Sequence, residues 1–417
     1  MVPVMPASRK MDAIVVGLGP AGSTGARLLS QAGLSVVGID RSEFPRFKTC
    51  GGGVSARSIP YLPIGWQSVP HEVTTGVCLT YDNHGPVEVD MGMPIAYQFR
   101  REEFDHFLLE EARKDGALIV TGVQVEEIGW DGSDFRIATE GGNLYTAPLL
   151  LAADGASSQV SRSLLNRTKK PGSFRPRFQR RSSVKHLGKS FPSSEINISG
   201  SNPVSPGLVR IDLGFVSGGY GWSFPKSRSG ENIGVIGFSK PLADPLAVLG
   251  GFVSRILPGT EGSSTREEPR TWFVPDYQES DRHGKIPGLF FLGDAGGLVD
   301  PFLGEGIYYA ILSAKKAVSE ILKHENHPKA ASLSYAGWIR QDLFRDFAQA
   351  RRLAAVIYRF PGVYFRLVQK YPHVLSLYAA ILRGAHDYRS FSRSIGKNLL
   401  NLPFRTLLPR FKPNRTF

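Results

Sequence analysis

The chain has 417 residues, 41% of them hydrophobic, enough to bury a large core in two or three domains. Its two cysteines, Cys50 and Cys78, exclude a disulfide framework and a cysteine-based metal site and suit a reducing cytoplasm; with no HxxxH or comparable ligand cluster, no metal is predicted. The formal net charge of +13 belongs wholly to residues 329–417, where 16 Lys and Arg face three acids, and no apolar run reaches the ~20 residues of a membrane-spanning helix.

The opening MVPVMPASRK lacks the apolar core of a secretory signal and reads as a frayed tail. The run Met11 to Val16 then predicts a buried parallel strand, followed by the tight turn GLGPAG (Gly17, Gly19, Pro20, Ala21, Gly22) and a helix through Ala26, Leu28, Leu29 and Ala32. Gly17 permits the sharp turn, Gly19 lets a pyrophosphate approach the backbone, and Gly22 lets the helix pack on the strand, so that the helix N-terminus faces the phosphates. A second strand, Leu34 to Ile39, ends in Asp40, 18 residues beyond Gly22, where a carboxylate can accept from both ribose hydroxyls. Strand, turn, helix and acid in register predict a dinucleotide site.

Cys50 follows the cations Arg41, Arg46 and Lys48 and precedes three glycines. Positive neighbours favour thiol reactivity and the glycines allow close approach of a ligand, while a lone cysteine also serves as an inert small hydrophobe. Pro60 to Pro94, rich in Pro, Gly and Thr, would supply the first strands of a second domain. Arg101 opens an amphipathic helix through Leu108, Leu109 and Ala112, ending near Asp115-Gly116. Strands at Leu118 to Thr121, Val123 to Ile128, Phe135 to Thr139 and Leu149 to Ala152 lead to the Asp154-Gly155 turn, either a cofactor closure or a simple tight turn.

From Pro171 to about Pro275, alternating apolar residues among Ser, Gly and Pro predict an antiparallel sheet. Within it Tyr220-Gly221-Trp222-Ser223-Phe224-Pro225 gathers three rings near a strand end, as a rigid apolar wall or as core packing. Gly288 to Leu292 reads as the last buried strand. It is followed by GDAGGLVDPFLGEG from Gly293 and by a helix, its first turn holding Gly304, Glu305 and Gly306, that runs toward Leu322. The N–H groups of that helix start suit the anionic edge of a reduced flavin, and Asp294 a ribityl hydroxyl; an Asp N-cap on a buried helix is the alternative. Two glycine-rich segments 276 residues apart are what one chain needs to hold both ends of FAD.

The basic tail places Phe344, Phe347, Ile357, Phe360, Tyr364, Val368, Leu375, Tyr378 and Ile381 at helical spacing. Such helices lie along an anionic membrane surface or pack as a bundle on the flavin domain, and the two readings are compatible. No recognised nucleic-acid module accompanies the charge, so nucleic acid is not an expected partner.

Taken together, GLGPAG, the segment Arg41 to Gly52 with its K-x-C-G-G, the Ala153-Asp154-Gly155 turn, the YxWxFP of Tyr220 to Pro225 and GDAGGLVDPFLGEGIYYA resemble the geranylgeranyl reductase family, within the p-hydroxybenzoate hydroxylase-like FAD-dependent oxidoreductases. The likeness runs from about Asp12 to Leu322. The first, third and last motifs are common to the larger flavoprotein group; K-x-C-G-G and YxWxFP point to the reductases. Two departures stand out: Val160-Ser161-Arg162 displaces by one the arginine of a Val-Arg pair, and Gly234-Val235-Ile236-Gly237 stands where the aromatic motif normally closes with GxG.

The resemblance implies an α/β fold: a Rossmann-type FAD-binding domain (residues 1–60, 100–170 and 276–328), an inserted, mainly antiparallel β substrate domain (61–99 and 171–275) and a basic C-terminal helical region (329–417). It implies FAD contacts from Arg41, Lys48, Cys50, Gly51, Gly52, Arg101, Val125, Asp154, Gly155, Gly293, Asp294, Pro301, Gly304, Glu305 and Gly306, beside the GLGPAG residues and Asp40. Tyr220, Trp222, Phe224 and Pro225 would grip an isoprenoid substrate. The implied reaction is reduction of isolated C=C bonds by hydride from reduced flavin N5, with a proton from an acid or ordered water and Cys50 as the candidate to assist. NAD(P)H or ferredoxin would supply electrons, in the cytoplasm or at the inner face of its membrane. An FAD-dependent monooxygenase acting on an apolar or aromatic substrate is the alternative on the same scaffold, followed by a non-catalytic flavin- and lipid-binding scaffold; a halogenase is disfavoured because W-x-W-x-I-P is absent.

Overall fold

Short apolar runs form a central parallel sheet in the order Leu289–Phe291, Leu149–Ala152, Ala13–Val16, Val36–Ile39, Leu118–Val120. The first four are buried throughout, as strands covered on both faces must be. The structure, a computed structural model, describes residues 8–165, 190–200, 205–227, 230–238, 241–258, 265–276, 282–325 and 327–391. On one face of the sheet lies α1 (Pro20–Gln31), begun by Pro20 in the first turn, and against it α2 (Arg101–Lys114). The other face is covered by an antiparallel meander of Val125–Trp130, Phe135–Thr139 and Leu144–Ala147, with Ile14, Val37, Ile137 and Leu150 in the shared core. The short α3 (Gln159–Leu165) follows the Asp154-Gly155 turn.

Ser8–Lys10, part of the segment read as a frayed tail, is instead a strand paired parallel to Leu144–Ala147. Its side chains are all exposed and it is held by polar contacts, the backbone pairing and a Ser8–Thr146 hydroxyl contact at 3.3 Å, which leave no apolar pattern to read.

The second layer is an eight-stranded sheet. Its order is Thr265–Arg266, Ser190–Ser199, Gly230–Gly237, Gly219–Lys226, Leu208–Leu213, Gly76–Tyr81, His84–Asp90, with Arg270–Pro275 also paired to Ser190–Ser199. Every pairing is antiparallel except Leu208–Leu213 with Gly76–Tyr81, which joins the early strands to the late ones. The sheet's back is covered by α4 (Pro245–Ile256), capped by Asp244 accepting from Ala247 N at 3.0 Å. A three-stranded sheet of Gly53–Ser55, Ala96–Phe99 and His71–Thr74 connects the two layers.

The C-terminal part comprises α5 (Ile307–Lys323), α6 (Pro328–Trp338), α7 (Phe344–Arg359), α8 (Pro361–Lys370) and α9 (Val374–Leu382). α6 is tied to the parallel sheet by Tyr335 Oη donating to Phe291 O at 2.9 Å. The inner faces of α7, α8 and α9, carrying Ile357, Phe365, Val368, Tyr378 and Ile381, share a core with Leu79, Leu213 and Ile236 of the eight-stranded sheet. The apolar stripe of the tail is thus largely spent inside the protein. Among the described residues no helix is long and apolar enough to cross a membrane.

Candidate active site

The glycine turn is fixed by contacts that leave no room for a side chain. Gly17 has φ +90°, and a Cβ there would lie 2.4 Å from Ala153 O; one at Gly22 would lie 1.8 Å from Gly17 O. Gly22 therefore supports the turn from behind and is not in the cavity wall, whereas Gly17, Gly19, Pro20 and Ala21 are. Asp40 accepts from Leu18 N at 2.7 Å and Ser42 N at 2.9 Å, one bond per oxygen, leaving each a further lone pair toward the cavity. Arg41 lies beside it in the wall.

Arg46, absent from the predicted contacts, completes this end. Its Nη2 pairs with Asp105 at 3.1 Å and lies near Gly19, while its Nη1 is buried with no protein partner. A buried guanidinium N–H without an acceptor, at the start of α1, suits the pyrophosphate of FAD. Arg101 is also in the wall, but its fork is taken by Asp105, with bonds of 2.8 and 2.7 Å. Burial opposes its charge, and Asp105 together with Cys50 more than offsets this, raising the Arg101 pKa. Asp105 thus orients both arginines.

Asp154 accepts from Gln159 N at 2.6 Å and Val160 N at 3.1 Å and so caps α3, while its other oxygen is buried without a partner; burial raises its pKa. Gly155, Val125 and Arg162 line the same wall. Arg162 donates to Ser157 O at 2.6 Å, so the displaced arginine still braces this turn.

Gly293, Asp294, Gly304, Glu305 and Gly306 bound the opposite side of the cavity. The helix starts later than the sequence suggested. Asp300 accepts from Phe302 N and Leu303 N, Gly304 adopts φ +70°, and the closed loop delays α5 until Ile307. Its first N–H groups remain available to an anionic ring edge. Glu305 is held by an ion pair with Arg57, which stacks on Tyr308. Pro301 is buried and does not reach the cavity wall, a correction to its predicted contact: it lies within the loop closed by Asp300.

Tyr220, Trp222 and Phe224 line the apolar end, and they lie within the strand Gly219–Lys226 rather than at its end. Spaced by two, they share one face; Pro225 belongs to the other face and is excluded from the wall, again contrary to expectation. Trp222 donates to Asn232 Oδ1 at 2.8 Å, and its indole fills the place of a side chain at Gly234, where a Cβ would be 2.1 Å from the ring. That is the physical role of the first glycine in the departing GVIG segment. Opposite, Tyr358, Tyr364, Leu375, Tyr378 and Leu382 of α7, α8 and α9 form a roof. Nothing in the tail's composition marked these residues as substrate wall. One continuous cavity of about 890 Å³ joins the glycine turn, the Cys50 loop and this apolar chamber.

At the junction, Cys50, Gly51 and Gly52 pass beneath Phe224, 2.8 Å from where a Cβ at Gly51 would be, and Gly52 has φ +65°. Cys50 N donates to Glu195 Oε1 at 2.7 Å, and Lys226 Nζ donates to Gly51 O and, at 2.9 Å, to Phe99 O. Lys48 lies 3.9 Å over the Trp272 ring. Burial pushes the Glu195 carboxyl up to about 7 and both Lys48 and Lys226 down to about 8. Glu195 and Lys226 escaped the sequence reading. Their only signals were a carboxylate inside the strand SFPSSEINIS and a lysine directly after the aromatic motif.

Residues 10–175 match the FAD binding domain family. A menaquinone reductase of Mycolicibacterium smegmatis is 29% identical over 84% of this chain and 85% of its own length. A geranylgeranyl diphosphate reductase of Rhodobacter capsulatus is 29% identical over 78% and 79%, and a tryptophan 2-halogenase of Chondromyces crocatus 24% over 76% and 62%. Among solved structures, a geranylgeranyl bacteriochlorophyll reductase-like protein of Thermoplasma acidophilum superimposes with a TM-score of 0.75 at 20% identity, covering 94% of this chain and all of that one. The chain carries an FAD-binding domain and is an FAD-dependent oxidoreductase, and its fold is similar to that of the geranylgeranyl bacteriochlorophyll reductase-like protein.

Proposed function

We propose that this protein reduces isolated C=C bonds of an isoprenoid lipid chain. The observation that carries the reading is the single cavity in which the cofactor cradle opens onto a chamber walled by Tyr220, Trp222 and Phe224 and roofed by Tyr358, Tyr364 and Tyr378. Such a chamber grips a long chain that offers no hydrogen bonds. The names of two similar proteins favour the same chemistry, since geranylgeranyl diphosphate and menaquinone share an isoprenyl chain.

Arg46, the start of α1 and Asp40 would hold the nucleotide; the loop from Gly293 to Gly306 and the start of α5 would hold the flavin ring. Reduced FAD bound there supplies hydride. The residues' part is to align the alkene with the ring and exclude water, so that hydride and proton arrive on a fixed geometry. NAD(P)H or ferredoxin remains the proposed electron source.

We also place the protein at the inner, anionic face of a membrane. At the corner of α7 and α8, Val356, Phe360 and Val363 are 62%, 56% and 57% exposed. Exposed Arg352, Arg359, Arg366 and Lys370 surround them, with no acid between residues 351 and 370. Cations for headgroups and rings for the interface suit this corner to an anionic bilayer, on the helices that roof the lipid chamber.

The reductase reading is tested by photoreducing the flavin anaerobically, mixing with geranylgeranyl lipids, and following flavin reoxidation and product mass. Saturated product is expected. Incorporation of labelled oxygen from dioxygen instead would establish the monooxygenase, and reoxidation by no substrate would leave a binding scaffold.

A further inference from the structure

We propose that Glu195 is the proton donor of this reaction, delivering its acid proton where the cofactor cradle meets the lipid chamber and recharging from a small side cavity behind the Cys50 loop. The inference rests on the alkene-reductase reading above.

Among the described residues five carboxylates line the large cavity: Asp40, Asp154, Glu195, Asp294 and Glu305. Asp40 accepts from two turn N–H groups, Asp154 caps α3 with one oxygen, Glu305 pairs with Arg57, and Asp294 lies in the loop that begins at Gly293. Glu195 stands in mid-strand, 3% exposed, two strands across the sheet from the aromatic strand Gly219–Lys226. Its Oε1 accepts from Cys50 N at 2.7 Å, and Asn232, the partner of Trp222, also bonds to it.

A second cavity, about 10 Å³ and thus the size of one water molecule, lies on the far side of the loop. Lys48, Cys50, Arg101, Glu195, Asn197 and Lys226 are in its wall. Asn197 Nδ2 donates to Glu267 Oε2 at 2.9 Å, and Glu267 is at the surface with Arg100 3.4 Å away. Glu195 therefore faces the reaction chamber on one side and a polar route toward solvent on the other.

The charged groups around Glu195 come from four directions: Lys48 and Cys50 from the loop, Lys226 from the aromatic strand, Arg270 from the paired strand, and Arg101 with Glu102 from the start of α2. Burial outweighs the nearby cations and holds the carboxyl up to about 7, so a large fraction carries its proton at neutral pH. Cys50 is placed differently. Its sulfur accepts from Gly52 N at 3.4 Å and interacts with the Arg101 guanidinium, both donors.

In the step, the alkene π bond breaks. One carbon takes the hydride, with its electron pair, from the reduced cofactor, which is thereby oxidised; the other takes the proton as the Glu195 O–H bond breaks. The carboxylate left behind is stabilised by the Cys50 N–H and Lys226, and a solvent proton restores the acid through the side cavity.

The test uses the FAD-loaded protein and the variants Glu195→Gln and Glu195→Asp. In infrared difference spectra without substrate, the wild type is expected to lose a buried carboxylic acid band as pH rises through about 7, and Glu195→Gln to lack that band. In anaerobic single turnovers with a geranylgeranyl lipid, Glu195→Gln is expected to slow saturation by about 10²–10⁴-fold and to lose the wild type's decline above that pH. Its oxidation by ferricyanide should match wild type. Glu195→Asp, an acid withdrawn by one methylene, should keep a titrating band while losing most of the rate. A carboxylic acid signal in Glu195→Gln identical to that of wild type across the pH series, with the band of Asp300 near 6 common to both, or a Glu195→Gln rate within about threefold of wild type, overturns the assignment. A wild type that saturates no prenyl lipid overturns the alkene reading and the assignment with it, whereas an active wild type beside an equally active variant overturns the assignment alone.

Discussion

The two ends of the cavity are built by different means. The cofactor end depends on close backbone approach: Gly17, Gly22 and Gly293 occupy places where a side chain would overlap or crowd a neighbour, with Asp40 and Arg46 added beside the first turn. The apolar end is made from side chains drawn from separate stretches: one face of Gly219–Lys226, parts of Gly76–Tyr81 and Leu208–Leu213, and three helices of the tail. The backbone end depends on a few positions that tolerate one residue type, while the side-chain end spreads its surface over many replaceable apolar groups.

This contrast sets the expected sensitivities. Gly17→Ala should have the largest effect: the strained φ alone costs about 1–3 kcal/mol, and the overlap with Ala153 adds to it. The purified variant is expected to be colourless and to melt below wild type, losing lipid turnover together with the flavin. Arg46→Ala removes a charged hydrogen-bond donor worth about 1.5–3 kcal/mol and should weaken FAD binding by roughly 10–100-fold in fluorescence titration, without altering the lipid chamber.

At the junction, Glu195→Gln should flatten a slope in stability. The folded-state pKa of about 7 lies above the ordinary 4.5, so the native protein binds this proton more tightly than the unfolded chain. That contribution is complete below about 4.5 and is lost as pH rises through about 7, by no more than about 3 kcal/mol. Lys48 and Lys226, lowered only to about 8, stay largely charged across that window. Urea melts of wild type and variant at several pH values measure the difference.

Gly234→Ala should displace the Trp222 indole for about 1–3 kcal/mol and reduce lipid turnover while the protein stays yellow; loss of flavin from this variant would break the proposed separation of the two ends. The mildest change is expected from Phe360→Ser. It should weaken flotation with anionic vesicles by about 1.5–3 kcal/mol or less and leave turnover of detergent-dispersed lipid unchanged.

The same contrast explains what could be read from the amino acids alone. GLGPAG and the Gly293 segment were legible because close backbone approach restricts them to glycine at fixed spacing. Asp40 was legible because it ends a strand. Pro225 stands outside the cavity wall because strand alternation assigns it to the face opposite Tyr220, Trp222 and Phe224. Arg46 and Glu195 were missed for another reason: each acquires its role only through partners distant in the chain, Asp105 for the first and the Cys50 loop for the second. The tail's helical spacing was visible, but whether its apolar faces turned inward depended on the sheet they meet.

The roof supplied by residues 357–382 separates two properties that a shorter enzyme would have to change together. Substitutions at Tyr364, Leu375 or Leu382 can widen, shorten or tilt the chamber without touching any glycine of the cradle. The shape of the apolar chamber and the fit of the cofactor cradle are therefore set by residues far apart in the chain, and each can be altered by substitution without the other.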